Sequence, residues 1–262
     1  MEAICKWAGA VLLVELALVP SSAAKLVTQT VTYEHQDTVL EGHLVFDDAW
    51  KEPRPGVLVV HQWMGLSENE RMRAQMLAEL GYVALAADVY GQGVRPANTA
   101  EAGAQASLYR RDRTLFRGRL RAALARLRAT PRVDDARVAA IGYCFGGGGV
   151  LELARSGAPL SGVVSFHGNL DTPDPGDAQQ IAGKVLVCHG AADPHVSDEA
   201  LLGFVDEMEA ADIDYQIILY GGAVHAFTQK DAGDDPSGGV AYDAAADRRS
   251  WRHMQLFFRE IF

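Results

Sequence analysis

The run Gly142-Tyr143-Cys144-Phe145-Gly146 sets a cysteine between two glycines at the spacing G-x-Cys-x-G. It follows an apolar stretch, Arg137–Tyr143, and precedes a segment of helical composition, Phe145–Ala154. A nucleophile carried on a sharp strand-to-helix turn has this pattern, with serine the commoner residue. The turn strains the backbone at the nucleophile, and side chains two residues before and after it would strike the neighbouring strand and helix. The helix N-terminus then faces the sulfur and favours a thiolate and a developing oxyanion. A blander reading is a glycine-rich turn around a buried cysteine. Gly147–Gly149 also suggest a phosphate loop, but no Gly-Lys-Ser/Thr follows.

A thiol nucleophile needs a base and a group to orient that base. Asp193 follows the apolar run Lys184–Cys188, and Asp198 is the fallback acid. His225 follows the last apolar run, Tyr215–Tyr220. The order is nucleophile, acid, histidine, each beyond the C-terminal end of a strand. The oxyanion donors are expected to be the backbone N–H groups of Phe145 and of Trp63, the latter in the loop His61-Gln62-Trp63-Met64-Gly65-Leu66. His61 either competes as a base or supports that loop, as His167 and His189 do after their own strands. No H-x-H or H-x-x-x-H spacing calls for a metal.

The elements that must position these residues read as α/β. Gly56–His61 is a continuous apolar run that suits a strand buried on both faces, Tyr82–Ala87 is another buried strand, and Arg137–Tyr143, Gly162–Phe166, Lys184–Cys188 and Tyr215–Tyr220 are further short apolar runs. Helical segments near Glu70–Leu80, Ala100–Ala129, Phe145–Ala154, Asp198–Ala211 and Ala241–Phe262 alternate with them. Leu26–His35 and Thr38–Phe46 alternate as an opening hairpin. A mostly parallel sheet with helices on both faces follows, as a single domain over residues 25–262. Nine arginines between Arg110 and Arg132 read as the solvated face of a helix whose buried face carries Leu115, Leu120, Leu124 and Leu127. Gly91–Leu108 and Asp171–Gln180 are expected to shape the pocket.

The chain has 262 residues, of which 48% are hydrophobic and 22% charged, which excludes a disordered or fibrous protein. A net charge of −10 argues against nucleic acid as a partner. Three cysteines exclude a disulfide scaffold. Residues 1–24 read as a signal peptide: Lys6, an apolar stretch Trp7–Val19 interrupted by Glu15, then Pro20 and Ser22-Ala23-Ala24. Cleavage after Ala24 implies a periplasmic or secreted protein without stable membrane association, retaining Cys144 and Cys188. Without a functional signal the protein would be cytoplasmic.

Taken in order, VVHQWMGL, AADVYGQG, IGYCFGGG, CHGAADPHV and YGGAVHAFT resemble the dienelactone hydrolase family of α/β-hydrolases, over Val31 to Phe262. The resemblance implies an α/β-hydrolase fold and a Cys144–His225–Asp193 triad. It also implies hydrolysis of a small-molecule ester or lactone through a thioacyl-enzyme, without metal or cofactor. Three positions depart from the family pattern. Gln62 stands where well-known members carry a glutamate that participates in thiol activation. Gln92 and Gln229 stand where the bacterial enzymes carry two carboxylate-gripping arginines, and Arg95 is expected to compensate in part. A neutral or larger ester therefore fits better than dienelactone, and a resting Cys144–His225 ion pair is expected. The alternative reading is a non-catalytic binder or thiol redox sensor on the same scaffold.

Overall fold

A computed structural model describes residues 25–262. The signal-peptide expectation falls on residues 1–24, outside the described residues. The chain opens with the hairpin β1 (Leu26–His35) and β2 (Thr38–Asp47), followed by β3 (Arg54–Val60), α1 (Glu68–Glu79) and β4 (Val83–Ala87). Two helices, α2 (Thr99–Arg111) and α3 (Arg113–Arg128), lead to β5 (Val133–Tyr143) and α4 (Phe145–Arg155). Then come β6 (Gly162–Phe166), β7 (Lys184–Gly190), α5 (Asp198–Ala210), β8 (Tyr215–Tyr220) and α6 (Ala244–Ile261). The eight strands form one sheet in the order β1-β2-β4-β3-β5-β6-β7-β8. β2 pairs antiparallel with β1 and β4, and every other pair is parallel.

Alternation along β3 shows how the sheet is buried. Leu58 and Val60 enter one apolar layer and Val57 and Val59 the other, all four without solvent exposure. Each such side chain stabilises the fold by roughly 1.5–3 kcal/mol relative to exposure. The α3 and α4 side chains Phe116, Leu120 and Val150 share the first layer, with Phe204 and Met208 of α5. Leu77 of α1 and Met254 and Phe258 of α6 share the second. The helices that follow the adjacent strands β3 and β5 therefore lie on opposite faces. That divergence opens a crevice at the strands' C-terminal ends, where ligands bind in open α/β sheets.

Local sequence accounts for the element ends. Ser67 and Glu70 form a reciprocal capping box at the start of α1, and Gly81 at φ +88° follows its end. The segment Ala100–Ala129 is two helices rather than one. Asp112 ends α2 and caps α3, its carboxylate accepting from the Leu115 N–H at 2.8 Å. The arginine face is also less solvated than the sequence suggests. Arg119 is buried, with hydrogen bonds to His35 O and Thr38 Oγ1 that tie α3 to the first hairpin. Arg117 bridges Glu152 and Asp177.

Candidate active site

Cys144 has φ +52° and ψ −113° at the junction of β5 and α4. A Cβ on Gly142 would lie 2.0 Å from Gly146 O, and one on Gly146 would lie 2.3 Å from Val60 O. Both glycines are therefore required by close backbone approach, one to the first turn of α4 and the other to the end of β3. The Cys144 N–H donates to Phe166 O at 3.0 Å, which holds the turn against β6.

His225 reaches the sulfur from the loop after β8. Its Nε2 lies 3.1 Å from Cys144 Sγ, and its Nδ1 donates to Asp193 Oδ2 at 2.8 Å. The other Asp193 oxygen accepts the His195 N–H at 2.8 Å. Burial opposes charge on both His225 and Asp193, but their partners prevail. Bonds to Asp193 and Cys144 push the imidazole up to about 10, and the bond to His225 draws the carboxyl below its ordinary range. The fallback Asp198 opens α5 instead.

Buried contacts fix the histidine loop. His225 N–H donates to Gly239 O, and the Ala241 N–H returns a bond to His225 O. Arg73 of α1 donates to Thr228 O at 3.0 Å and pairs with Asp247 at 2.7 Å. His167 Nε2 lies 2.8 Å from Thr228 Oγ1. Burial, aided by the nearby His225 charge, drives the His167 imidazole well below its ordinary value, so it is neutral support rather than a base. His61 is likewise fully buried, its ring nitrogens engaged by the backbone at Gln62 and Val89.

Cys144 and His225 line a cavity of about 530 Å³. The cavity also takes in Trp63, Gln62 and Gln229, and the Gln62 side-chain amide donates to Gln229 Oε1 at 3.1 Å. Neither the Trp63 nor the Phe145 backbone N–H donates to an acceptor among the described residues. Gln92 and Arg95 do not line this cavity, which corrects the sequence expectation. Gln92 is exposed and its amide donates to Glu41 Oε2 at 2.8 Å. Half-buried Arg95 lines a separate surface pocket, lies 3.5 Å from the buried carboxylate of Asp88 and donates to Leu66 O and Val94 O. Thr99 is the one cavity-lining residue from Gly91–Leu108, and none comes from Asp171–Gln180.

Sequence reasoning missed Arg110, Asn169, His195 and Asp231 in the cavity wall. Arg110, in the arginine run read as solvated, is exposed and also donates to Asn169 Oδ1 at 2.8 Å at the cavity edge. Asn169 follows β6, so the strand-end rule that located Asp193 could have found it. Cys188 is buried on the opposite apolar layer from Cys144, and both thiols are free. Burial pushes the Cys188 thiol up to about 12. Among the described residues, no group of three or more His, Cys, Asp or Glu could hold a metal ion, and no helix is long and apolar enough to cross a membrane.

The model of the dienelactone hydrolase family matches residues 41–262. The chain belongs to the dienelactone hydrolase family. A dienelactone hydrolase-like promiscuous phosphotriesterase from metagenomic libraries is similar in structure, with a TM-score of 0.87 and 43% identity over 90% of this chain and 99% of its own. An uncharacterised Caenorhabditis elegans protein is 39% identical over 147 residues, which are 55% of this chain and 92% of the relative. A putative carboxymethylenebutenolidase of Saccharolobus solfataricus is 25% identical over 247 residues, covering 80% of this chain and 91% of the relative. Membership in the dienelactone hydrolase family makes this protein a hydrolase of a small-molecule substrate.

Proposed function

We propose that the protein hydrolyses a carboxylic ester or lactone through Cys144, His225 and Asp193. The observation that carries this reading is the unbroken chain Sγ···Nε2 at 3.1 Å and Nδ1···Oδ2 at 2.8 Å on the wall of a cavity. The reacting pair has the Cys144 proton on His225, the imidazole whose protonated form Asp193 and Cys144 favour. Gln62 is a neutral amide and supplies no carboxylate to displace that pair.

The thiolate attacks the carbonyl carbon and forms a C–S bond. The Trp63 and Phe145 N–H groups stabilise the oxyanion. Collapse breaks the C–O bond, and the leaving alkoxide takes the proton from His225. The thioester removes the negative charge beside the imidazole, which can then deprotonate water. Water attacks the thioester, the C–S bond breaks, and the acid departs as the thiolate–imidazolium pair is restored. Asp193 holds the Nδ1–H tautomer throughout.

The paired glutamines favour a neutral or larger ester over a dienelactone. A panel of esters, lactones, thioesters, peptides and neutral phosphotriesters would define the substrate class. The phosphotriesters belong in it because a relative of 43% identity is described as a phosphotriesterase. Cys144→Ala is expected to abolish turnover of simple activated esters, and undiminished activity would overturn the assignment. Turnover of none of the panel by the wild-type protein would overturn the ester or lactone reading. Export with cleavage after Ala24 is tested by the intact mass of the protein recovered from a periplasmic fraction.

A further inference from the structure

The carbonyl oxygen of Gln62 is held from two sides, by His61 Nδ1 at 2.6 Å and by the Gly65 N–H at 3.1 Å. The Val89 N–H donates to His61 Nε2 at 3.2 Å, so Nε2 is the acceptor and the ring proton sits on Nδ1. Burial lowers the pKa of this ring and keeps it neutral. The ring is packed between Tyr90 and Phe145, at centroid distances of 4.7 Å and 5.7 Å. Sealed on both nitrogens, it has no lone pair to offer as a base.

No peptide bond among the described residues is cis. The N–H of Trp63 therefore points opposite to the carbonyl of Gln62. Since that carbonyl is drawn toward the buried imidazole, the Trp63 N–H faces away from it. This N–H has no acceptor among the described residues, and Trp63 lines the cavity that holds Cys144. The next peptide is pinned too, because the Tyr90 hydroxyl donates to Trp63 O at 2.9 Å.

We propose that His61 is a positioning residue for the oxyanion hole: its Nδ1–H fixes the Gln62–Trp63 peptide so that the Trp63 N–H is aimed at the developing oxyanion. A donor on the peptide oxygen also polarises the amide and strengthens its N–H as a donor. The proposal rests on the Cys144 hydrolase reading and adds a residue to it that touches no substrate.

Ester turnover and alkylation of Cys144 by iodoacetamide, measured on the same variants, test it. Alkylation needs the thiolate but forms no oxyanion, so it reports on Cys144 and His225 alone. His61→Leu is expected to lower kcat about 100-fold, the scale of one lost oxyanion donor, while KM and the alkylation rate change less than about three-fold. His61→Asn, whose amide takes the place of Nδ1, is expected to recover about ten-fold of that loss. His61→Gln, whose amide reaches toward Val89 instead, is not. Should His61→Leu fail to fold, the contrast between Asn and Gln carries the test. Equal kcat in those two variants overturns the proposal. So does an unchanged kcat in His61→Leu, or a parallel fall in kcat and alkylation rate. Hydrolysis that survives Cys144→Ala instead overturns the underlying reading and leaves the geometry of His61 untouched.

Discussion

At the scale of single residues, Cys144 and Cys188 show how environment sorts identical side chains. Cys144 is held at the C-terminal edge of the sheet beside an imidazole whose charge is favoured by two partners. Cys188 lies in the opposite apolar layer, where burial disfavours its thiolate. The state of His225 sets the pH response. Its imidazole is raised to about 10, so it is protonated below that value and loses its proton as pH rises through it. A leaving alkoxide then loses its acid. The kcat/KM for an alkyl ester with a poor leaving group is therefore expected to fall above pH ~10. In Asp193→Asn, removal of the anion that helps raise the imidazole is expected to move the fall to lower pH. A pH–rate profile checks both, and a limb that stays put in Asp193→Asn would show that Asp193 does not set it.

At the scale of elements, the turn from β5 into α4 depends on glycine for steric reasons that differ from glycine elsewhere. Gly146→Ala would place a methyl group 2.3 Å from Val60 O, a backbone atom that cannot move aside cheaply. Gly203, inside α5, has no atom within 4 Å of an added Cβ. Gly146→Ala is expected to lose ester hydrolysis and at least about 2 kcal/mol of stability. Gly203→Ala is expected to gain about 0.5–1 kcal/mol from helix propensity alone. Denaturant unfolding of the two variants distinguishes a local steric requirement from a general effect of glycine content. Most elements were legible because their patterns are local. The hairpin, α1 and the central buried strands agree with the sequence to within a few residues, whereas β8 lies at the sheet edge and is half-exposed, with Leu219 facing solvent. The split at Asp112 was not read from the sequence, since residues of helical composition flank it on both sides and the Asp112 side-chain cap marks the break.

At the scale of the molecule, the helices on one face of the sheet are joined by buried charge as well as by packing. Arg155 of α4 makes two 2.7 Å bonds to Glu207 of α5, a third to Glu152, and a fourth to Leu170 O. All three charged side chains are buried. Removing one partner leaves a guanidinium underpaired in a desolvated site, which costs far more than losing a surface pair. Glu207→Leu is expected to reduce stability by about 3 kcal/mol in denaturant unfolding. A loss below about 1 kcal/mol would show that Glu152 alone compensates the charge. The crevice between β3 and β5 also belongs to this scale. It exists because their following helices leave on opposite faces, and it brings the loop of Trp63 and the turn of Cys144 to one edge of the sheet.

Sequence alone determined the G-x-Cys-x-G turn, the α/β alternation and the order Cys144, Asp193, His225. Each of these rests on a local requirement: a backbone angle, a strand buried on two faces, or a position just past a strand end. Only the tertiary structure decided which residues wall the cavity. Arg95 was expected there, but its guanidinium bonds to Val94 O and Leu66 O beside the Asp88 carboxylate, outside that cavity. Arg110 is solvated as the sequence suggests, but only packing shows that the facing Asn169 holds its guanidinium at the cavity edge. A long side chain can reach in several directions from one backbone position. The partner that captures it comes from distant sequence, so its destination is settled only when the elements pack.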